Sequence, residues 1–181
     1  PPRLLEAARS TASAPAAPAP AAPDAPLPAR VTSLRRLDVP GLPPDIDVVA
    51  YRDEADRWHA AAVEPAQISL GLAGAERIHT RLLARGESPT PLALARIVGA
   101  LLYYPWPVFD GQRWLTTPDG FTPGGAGATP QLAPRPAGLG RALVFSYAIP
   151  EGSPGAGIHL ANIRITDSGY LIDAAPNPER R

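Results

Sequence analysis

The sequence predicts an α+β domain, with a small, mostly antiparallel sheet and two central helices, preceded by an extended Pro/Ala-rich arm. Strand-like runs stand before and after two helical stretches instead of alternating with them, which is typical of an antiparallel sheet. Hydrophobic residues make up 45% of the 181-residue chain, enough for a core, and 11 of its 25 prolines fall within residues 1–44. We therefore assign residues 1–44 to the arm and residues 45–181 to a single domain.

The arm opens with a short amphipathic segment and continues as a spacer. Residues 3–10 favour a helix with Leu4, Leu5 and Ala8 on one face. A helix this short is unstable alone in water, so its apolar face needs another surface. Residues 12–29 are almost entirely alanine and proline, and repeated proline excludes both helix and central strand. We expect an extended polyproline II spacer here.

A second apolar segment of the arm runs from residue 31 to residue 39. It carries Leu34 and Leu37 and is followed by Pro40, Pro43 and Pro44, which close the arm. The segment is suited to lie either along a partner or along the domain itself.

The domain opens with a predicted hairpin. Residues 45–52 are rich in Val, Ile and Tyr and predict a strand, and residues 58–63 predict the returning strand. A helix over residues 53–63 is the alternative. Asp53, Glu54, Asp56 and His59 form the densest polar group of the sequence, and we interpret it as a solvated turn. If the segment is helical instead, this spacing suits a metal ion or an acid/base pair.

Two helices follow, over residues 73–86 and 91–103. Gly86 is a natural stop for the first helix, and the Ser-Pro-Thr-Pro run that ends at Pro91 supplies an N-cap and a first-turn proline for the second. Apolar residues cover more than half the circumference of the second helix, whose one charge is Arg96. We expect this helix to be the buried centre of the domain.

The sequence predicts strands and turns for the C-terminal part of the domain. An Asp-Gly dipeptide at Asp110 predicts a hairpin over residues 106–121. Residues 122–140 are rich in Gly and Pro and predict a long loop. Three further strands are predicted over residues 142–149, 158–166 and 170–174. Residues 176–181 form a C-terminal tail.

Composition excludes several kinds of chemistry. The chain has no cysteine, so it cannot form a disulfide or a zinc–thiolate site. It has no lysine, which excludes the nucleotide-binding loop that needs one and suggests a GC-rich bacterial genome. The three histidines, His59, His79 and His159, stand far apart, so no metal site is predicted. We find no nucleophile elbow and no other catalytic set, and we predict no cofactor.

Charge balance argues against a nucleic-acid-binding protein. The 17 basic residues are matched by 17 acidic residues, whereas such proteins carry a basic face or stripe. A nucleic-acid-binding module remains a third hypothesis, and it would use the arginines Arg52, Arg57, Arg77, Arg81 and Arg85.

One order of residues resembles the layout of arginine–Ser-Thr-Ser–Glu-x-Glu ADP-ribosyltransferases. Arg52 ends the first strand, Thr116 and Thr117 end a mid-chain strand, and residues 145–157 form a late strand with a proline–glycine turn. The resemblance implies that Arg52 holds NAD and that Thr116 and Thr117 shape its pocket. The family's late Glu-x-Glu is replaced by an Asp-Ser-Gly run that starts at Asp167. The alternative function is therefore a degenerate toxin-like member or an NAD-binding domain.

Aromatic residues form the other dense feature of the sequence, and two interpretations stay open. They either build an aromatic core with the second helix or form a binding ridge held rigid by neighbouring prolines, since rigid Trp and Tyr are typical interface anchors. Such a ridge would suit a polyproline segment from a partner or another copy. The candidate partner-binding residues of the whole chain are Leu4, Leu5, Leu34, Leu37, Tyr103, Tyr104, Trp106 and Trp114.

From these observations we expect a non-enzymatic structural subunit of a larger bacterial or viral assembly. Its domain would dock on protein partners, and its arm would strap neighbours, which include further copies in a homo-oligomer. No apolar run reaches the roughly 20 residues of a membrane-spanning helix, and we expect the assembly in the cell envelope, the periplasm or a virion instead of the free cytosol.

Overall fold

Two antiparallel sheets and a pair of helices share one core in the computed structural model, which describes residues 31–115, 117, 120–134, 140–166 and, for the backbone, 169–172. Each sheet has four strands in sequential order. The first sheet contains β1 (Ser33–Leu37), β2 (Asp47–Arg52), β3 (Trp58–Glu64) and β4 (Gln67–Leu70). The second contains β5 (Gln131–Pro134), β6 (Arg141–Ile149), β7 (Gly157–Thr166) and β8 (Gly169–Ile172). The α+β class is thus confirmed, with two sheets in place of the single predicted one.

The two helices lie between the sheets in sequence and pack on both. Helix α1 spans Gly71–Ala84, and helix α2 spans Pro91–Val98 and continues as a π-helical turn over Gly99–Tyr103. Helix α1 packs on β3 and β4, whereas α2 packs on β5 and β6. The largest fully buried side chains come from all three layers and include Val48, Ile78, Ile97 and Phe145. Apolar residues on α2 therefore do form the centre of the domain.

Local signals explain where the helices begin and end. The Thr90 hydroxyl accepts a hydrogen bond from the Ala93 amide at 3.2 Å, as expected of an N-cap, and Pro91 occupies the first turn. Gly86 has φ of +73°, and the amides of Gly86 and Glu87 donate to Leu83 and Leu82, which closes α1. Left-handed φ favours glycine at this position.

The hairpin of β2 and β3 is as the sequence predicts, and the alternative helix over residues 53–63 is wrong. Register pairs run from Asp47 opposite Val63 to Arg52 opposite Trp58. The hairpin predicted over residues 106–121 is reduced to one isolated bridge between Phe109 and Trp114. The long loop predicted over residues 122–140 contains β5, which pairs with β6.

The sheet starts before residue 45, the predicted domain boundary. Strand β1 pairs with β2 from Ser33 opposite Arg52 to Leu37 opposite Val48, so it lies along the domain itself. Val39 is buried in the core, and Leu37 packs against that core. These contacts place residues 31–44 in the folded domain. We call residues 1–30, which lie outside the described residues, the strap. No helix within the described ranges is long and apolar enough to cross a membrane.

Candidate docking surface

The first sheet has one face toward the helices and one face away from them. Side chains alternate between the faces of a strand. Val48 and Ala62 belong to the core that contains the helices, so their neighbours in sequence point the other way. We call that opposite side the outer face. Its residues, taken strand by strand, are Leu34, Arg36, Asp47, Val49, Tyr51, His59, Ala61, Val63, Ile68 and Leu70.

The outer face is largely apolar. Tyr51, Ala61 and Leu70 form a buried cluster that is separate from the main core. Leu34 on β1 is 69% exposed and Ile68 on β4 is 48% exposed, at the two edges of the sheet. Complete burial of one such side chain contributes about 1.5–3 kcal/mol. The outer face therefore offers an apolar surface whose most exposed residues flank a packed centre.

A fixed carboxylate lies at one end of the outer face. The Asp53 side chain is only 8% exposed. Its Oδ1 accepts hydrogen bonds from the amides of Ala55 and Arg57, both at 2.9 Å. Its Oδ2 accepts from Arg57 Nε and lies 2.9 Å from His59 Nε2. The His59 ring also stacks on Tyr51, with 5.3 Å between the ring centroids. Asp53 thus organises the turn and orients His59 beside the apolar cluster.

These contacts keep Asp53 ionised. The hydrogen bond with His59 and the bond from the Arg57 amide are the main causes that hold the pKa of the Asp53 carboxyl well below its usual range. Burial, and then the charge of Asp53, raise the pKa of Tyr51. At neutral pH this end of the outer face therefore carries an ionised Asp53, paired with Arg57, and a neutral Tyr51 phenol.

Replacing Asp53 by asparagine should destabilise the domain at neutral pH. A lowered native pKa adds stability above the unfolded pKa of about 3.9, and this stability is lost as pH falls through the native value. The difference in urea midpoint between the wild type and Asp53→Asn should therefore be larger at pH 7 than at pH 3. Asp56→Asn is the control, because Asp56 is exposed and forms an ion pair with Arg52. Equal effects of the two substitutions would contradict the role given to Asp53.

A second partly exposed feature stands at the same end of the sheet, on the other face. Arg52 lies over the Trp58 ring, with 4.8 Å between Cζ and the ring centroid. The Tyr104 ring meets Trp58 edge to face, at 5.1 Å and 82°. We call Arg52, Trp58 and Tyr104 the aromatic corner. The sequence analysis proposed Tyr104 as a partner-binding residue and Arg52 as an NAD-binding residue. It did not predict that either residue contacts Trp58.

The predicted aromatic ridge is not one surface. Tyr103 is buried against Tyr147 and Phe145, so its ring belongs to the core. Trp106 packs at the edge of that core. Trp114 packs on Phe109 and donates a hydrogen bond to the Gly125 carbonyl at 2.8 Å.

The candidate leucines are also separated. Leu34 lies on the outer face, whereas Leu37 points toward the core from the same strand. Leu4 and Leu5 fall outside the described residues. Ile68 was missed, although the alternation of Gln67, Ile68, Ser69 and Leu70 after a Pro-Ala turn is a strand signal.

The residues proposed for NAD binding make separate local contacts. The Arg52 guanidinium pairs with Asp56 at 2.8 Å and stacks on Trp58. The Thr117 hydroxyl accepts a hydrogen bond from the Phe121 amide at 2.9 Å and closes a turn. Thr116 lies outside the described residues. Arg52 and Thr117 thus each have a local structural role.

The arginines of the nucleic-acid hypothesis are each paired with a carboxylate. Arg52 pairs with Asp56, and Arg57 pairs with Asp53. The other three pairs are Arg77 and Arg81 with Glu64, and Arg85 with Glu87. Their positive charges are therefore locally balanced, as the net charge of the whole chain is.

A shallow polar depression of about 540 Å³ separates β4 from α1, and Gln67, Arg77 and Arg81 contribute to its lining. Both arginines bind the buried Glu64 carboxylate, and Arg81 also binds Asp45 at 3.0 Å. The bond from Arg77 is the first cause that lowers the pKa of Glu64. This network fastens α1 to the sheet. Among the described residues, no three His, Asp or Glu are grouped to hold a metal ion.

Comparison with known proteins adds no family to this picture. No protein-family model, curated protein or solved structure matches the chain.

Proposed function

We propose that the chain is a non-enzymatic interaction subunit of a larger bacterial or viral assembly. Its domain docks through the outer face, and its strap reaches the outer face of a neighbouring copy. The observation that carries the proposal is the apolar outer face, with Leu34 and Ile68 exposed at its edges. Exposed apolar surface of this kind marks interaction sites when it is contiguous.

The strap supplies a segment with the matching chemistry. Leu4, Leu5 and Ala8 share one face of a short predicted helix, which gains stability only by covering that face. The outer face offers the exposed side chains of Leu34 and Ile68 for this purpose, on either side of the buried cluster around Tyr51. Each surface thus provides the burial that the other needs.

Reach allows the strap to contact a neighbouring copy. Residues 12–22, extended at about 3.1 Å per residue, would span on the order of 30 Å. A domain of this size has a radius of gyration of about 14 Å. An extended spacer therefore carries Leu4 and Leu5 beyond the domain from which it starts.

Sedimentation velocity of the full chain over a concentration series tests this proposal. We expect reversible self-association of the wild type and at least tenfold weaker association of the Leu34→Glu/Ile68→Glu variant. A tenfold loss corresponds to about 1.4 kcal/mol, which is less than full burial of one such side chain contributes. Leu4→Glu/Leu5→Glu should weaken association by a similar factor, because it removes the other half of the contact.

Leu83→Glu is the matched control. Leu83 is 52% exposed on α1, so Leu83→Glu makes the same change of charge and apolarity as either single substitution, Leu34→Glu or Ile68→Glu, but away from the outer face. A wild-type chain that stays monomeric, or equal weakening by Leu83→Glu, would contradict the proposal.

A further inference from the structure

The aromatic corner lies beside the point at which the strap joins the fold. We propose that Trp58 and Tyr104 bind the prolines at the root of the strap of the same chain, Pro23, Pro26 and Pro28, in polyproline II conformation. This inference deepens the proposed function, because its role in directing the strap rests on that function. The contact itself can be measured independently.

The backbone places the root of the strap next to the corner. The Thr32 amide donates a hydrogen bond to the Arg52 carbonyl at 3.0 Å, and Ser33 is the register partner of Arg52. Arg52 is in turn the register partner of Trp58. Since register partners project to the same face of a sheet, Ser33, Arg52 and Trp58 share one face. The chain therefore enters the sheet at Ser33, which lies two strands away from Trp58 and in line with it across the sheet.

Distance allows the contact. Two strand spacings amount to about 10 Å across the sheet. Pro28 precedes Thr32 by four residues, which reach about 14 Å when extended. Pro28 can thus reach the corner directly, and Pro26 and Pro23 can follow along the same surface.

The chemistry of the corner fits a polyproline segment. Recognition of polyproline II typically uses grooves lined by aromatic rings, because the helix is already extended and loses little entropy on binding. Trp58 and Tyr104 stand perpendicular and are both partly exposed, so they form an angled surface for a proline ring. The alanines between the prolines add little bulk.

One buried donor in the corner also calls for an acceptor. Within the described residues, Arg52 Nε is buried without a hydrogen-bond partner, while the guanidinium binds Asp56 through its terminal nitrogen. Buried donors are rarely left unpaired in native proteins. Polyproline II leaves its backbone carbonyls free of internal hydrogen bonds, so the root of the strap can supply the acceptor. Docking would fix the direction in which the strap leaves the domain.

Paramagnetic NMR of the full chain tests this contact. The chain has no cysteine, so Ala25→Cys places a single nitroxide between Pro23 and Pro26. We expect loss of the Trp58 indole N–H signal in the labelled chain and no change at Trp114, which packs on Phe109. The signal should return in a Pro23→Ser/Pro26→Ser/Pro28→Ser background.

A mixed sample separates contact within one chain from contact between copies. A nitroxide on an unenriched copy should leave Trp58 of an unlabelled ¹⁵N copy unchanged. An unaffected Trp58 in the first experiment, or an effect only between copies, would overturn the inference. Sedimentation of the wild type and of Leu4→Glu/Leu5→Glu tests the contact of the strap with another copy separately, so failure of one proposal is distinguishable from failure of the other.

Discussion

Replacing Phe145 by alanine should lower the free energy of unfolding by about 3–5 kcal/mol, as large-to-small substitutions of buried aromatic residues do. Phe145 is fully buried on β6. Its ring meets Tyr103 edge to face at 5.7 Å, so it joins the second sheet to the π-helical turn after α2. Small domains have total stabilities of about 5–15 kcal/mol, which makes this loss a large share of the whole.

Urea denaturation followed by circular dichroism measures the effect. Phe145→Leu should cost less than Phe145→Ala because it leaves a smaller cavity. Leu83→Ala on the exposed side of α1 should change stability by no more than about 0.5 kcal/mol. Equal and small effects of Phe145→Ala and Leu83→Ala would show that the sheets and helices do not share one core.

Removing residues 1–44 should destabilise the domain strongly, whereas removing residues 1–30 should not. The longer deletion removes β1 and the core contacts of Val39 and Leu37. At about 1.5 kcal/mol for each apolar side chain, the lower limit of the usual range, the loss is about 3 kcal/mol. It also exposes the edge of β2, which favours aggregation.

The two deletions are compared by thermal unfolding and by solubility at equal concentration. A chain that starts at residue 31 should unfold cooperatively at nearly the wild-type temperature. If the chain that starts at residue 45 does the same, the pairing of β1 with β2 contributes nothing to the fold.

Signals that act within a few residues were predictable from the sequence. Thr90 and Gly86 mark helix ends because a cap satisfies backbone groups of its own helix. The hairpin of β2 and β3 was found because residues 45–52 are rich in Val, Ile and Tyr and a polar turn precedes the returning strand. The central position of α2 followed from its nearly continuous apolar surface.

Short edge strands were not predictable in this way. Strands β1, β4 and β5 have only four or five residues, and β5 ends on Pro134. These strands form by pairing with the backbone of a longer neighbour, which a pattern of four or five residues indicates only weakly. Ile68 was missed because the alternation over Gln67–Leu70 is a signal of only four residues.

Long-range packing determines which aromatic side chains are buried in the core. Tyr103 and Tyr104 are adjacent in sequence, yet Tyr103 enters the core and Tyr104 meets Trp58. The π-helical turn ends between them and sends the two rings in different directions. Sequence spacing could not distinguish an aromatic core from an exposed ridge, because the direction of each ring depends on the backbone around it.

Cross-linking between isotopically distinct copies tests most directly whether the strap of one chain binds another. A ¹⁴N copy carries a benzophenone amino acid in place of Leu5 and is mixed with a wild-type ¹⁵N copy before irradiation. The proposed function predicts mixed-isotope cross-links from position 5 to peptides that contain Leu34 or Ile68. Cross-links confined to the ¹⁴N copy, or absent from the outer face of the ¹⁵N copy, would contradict it.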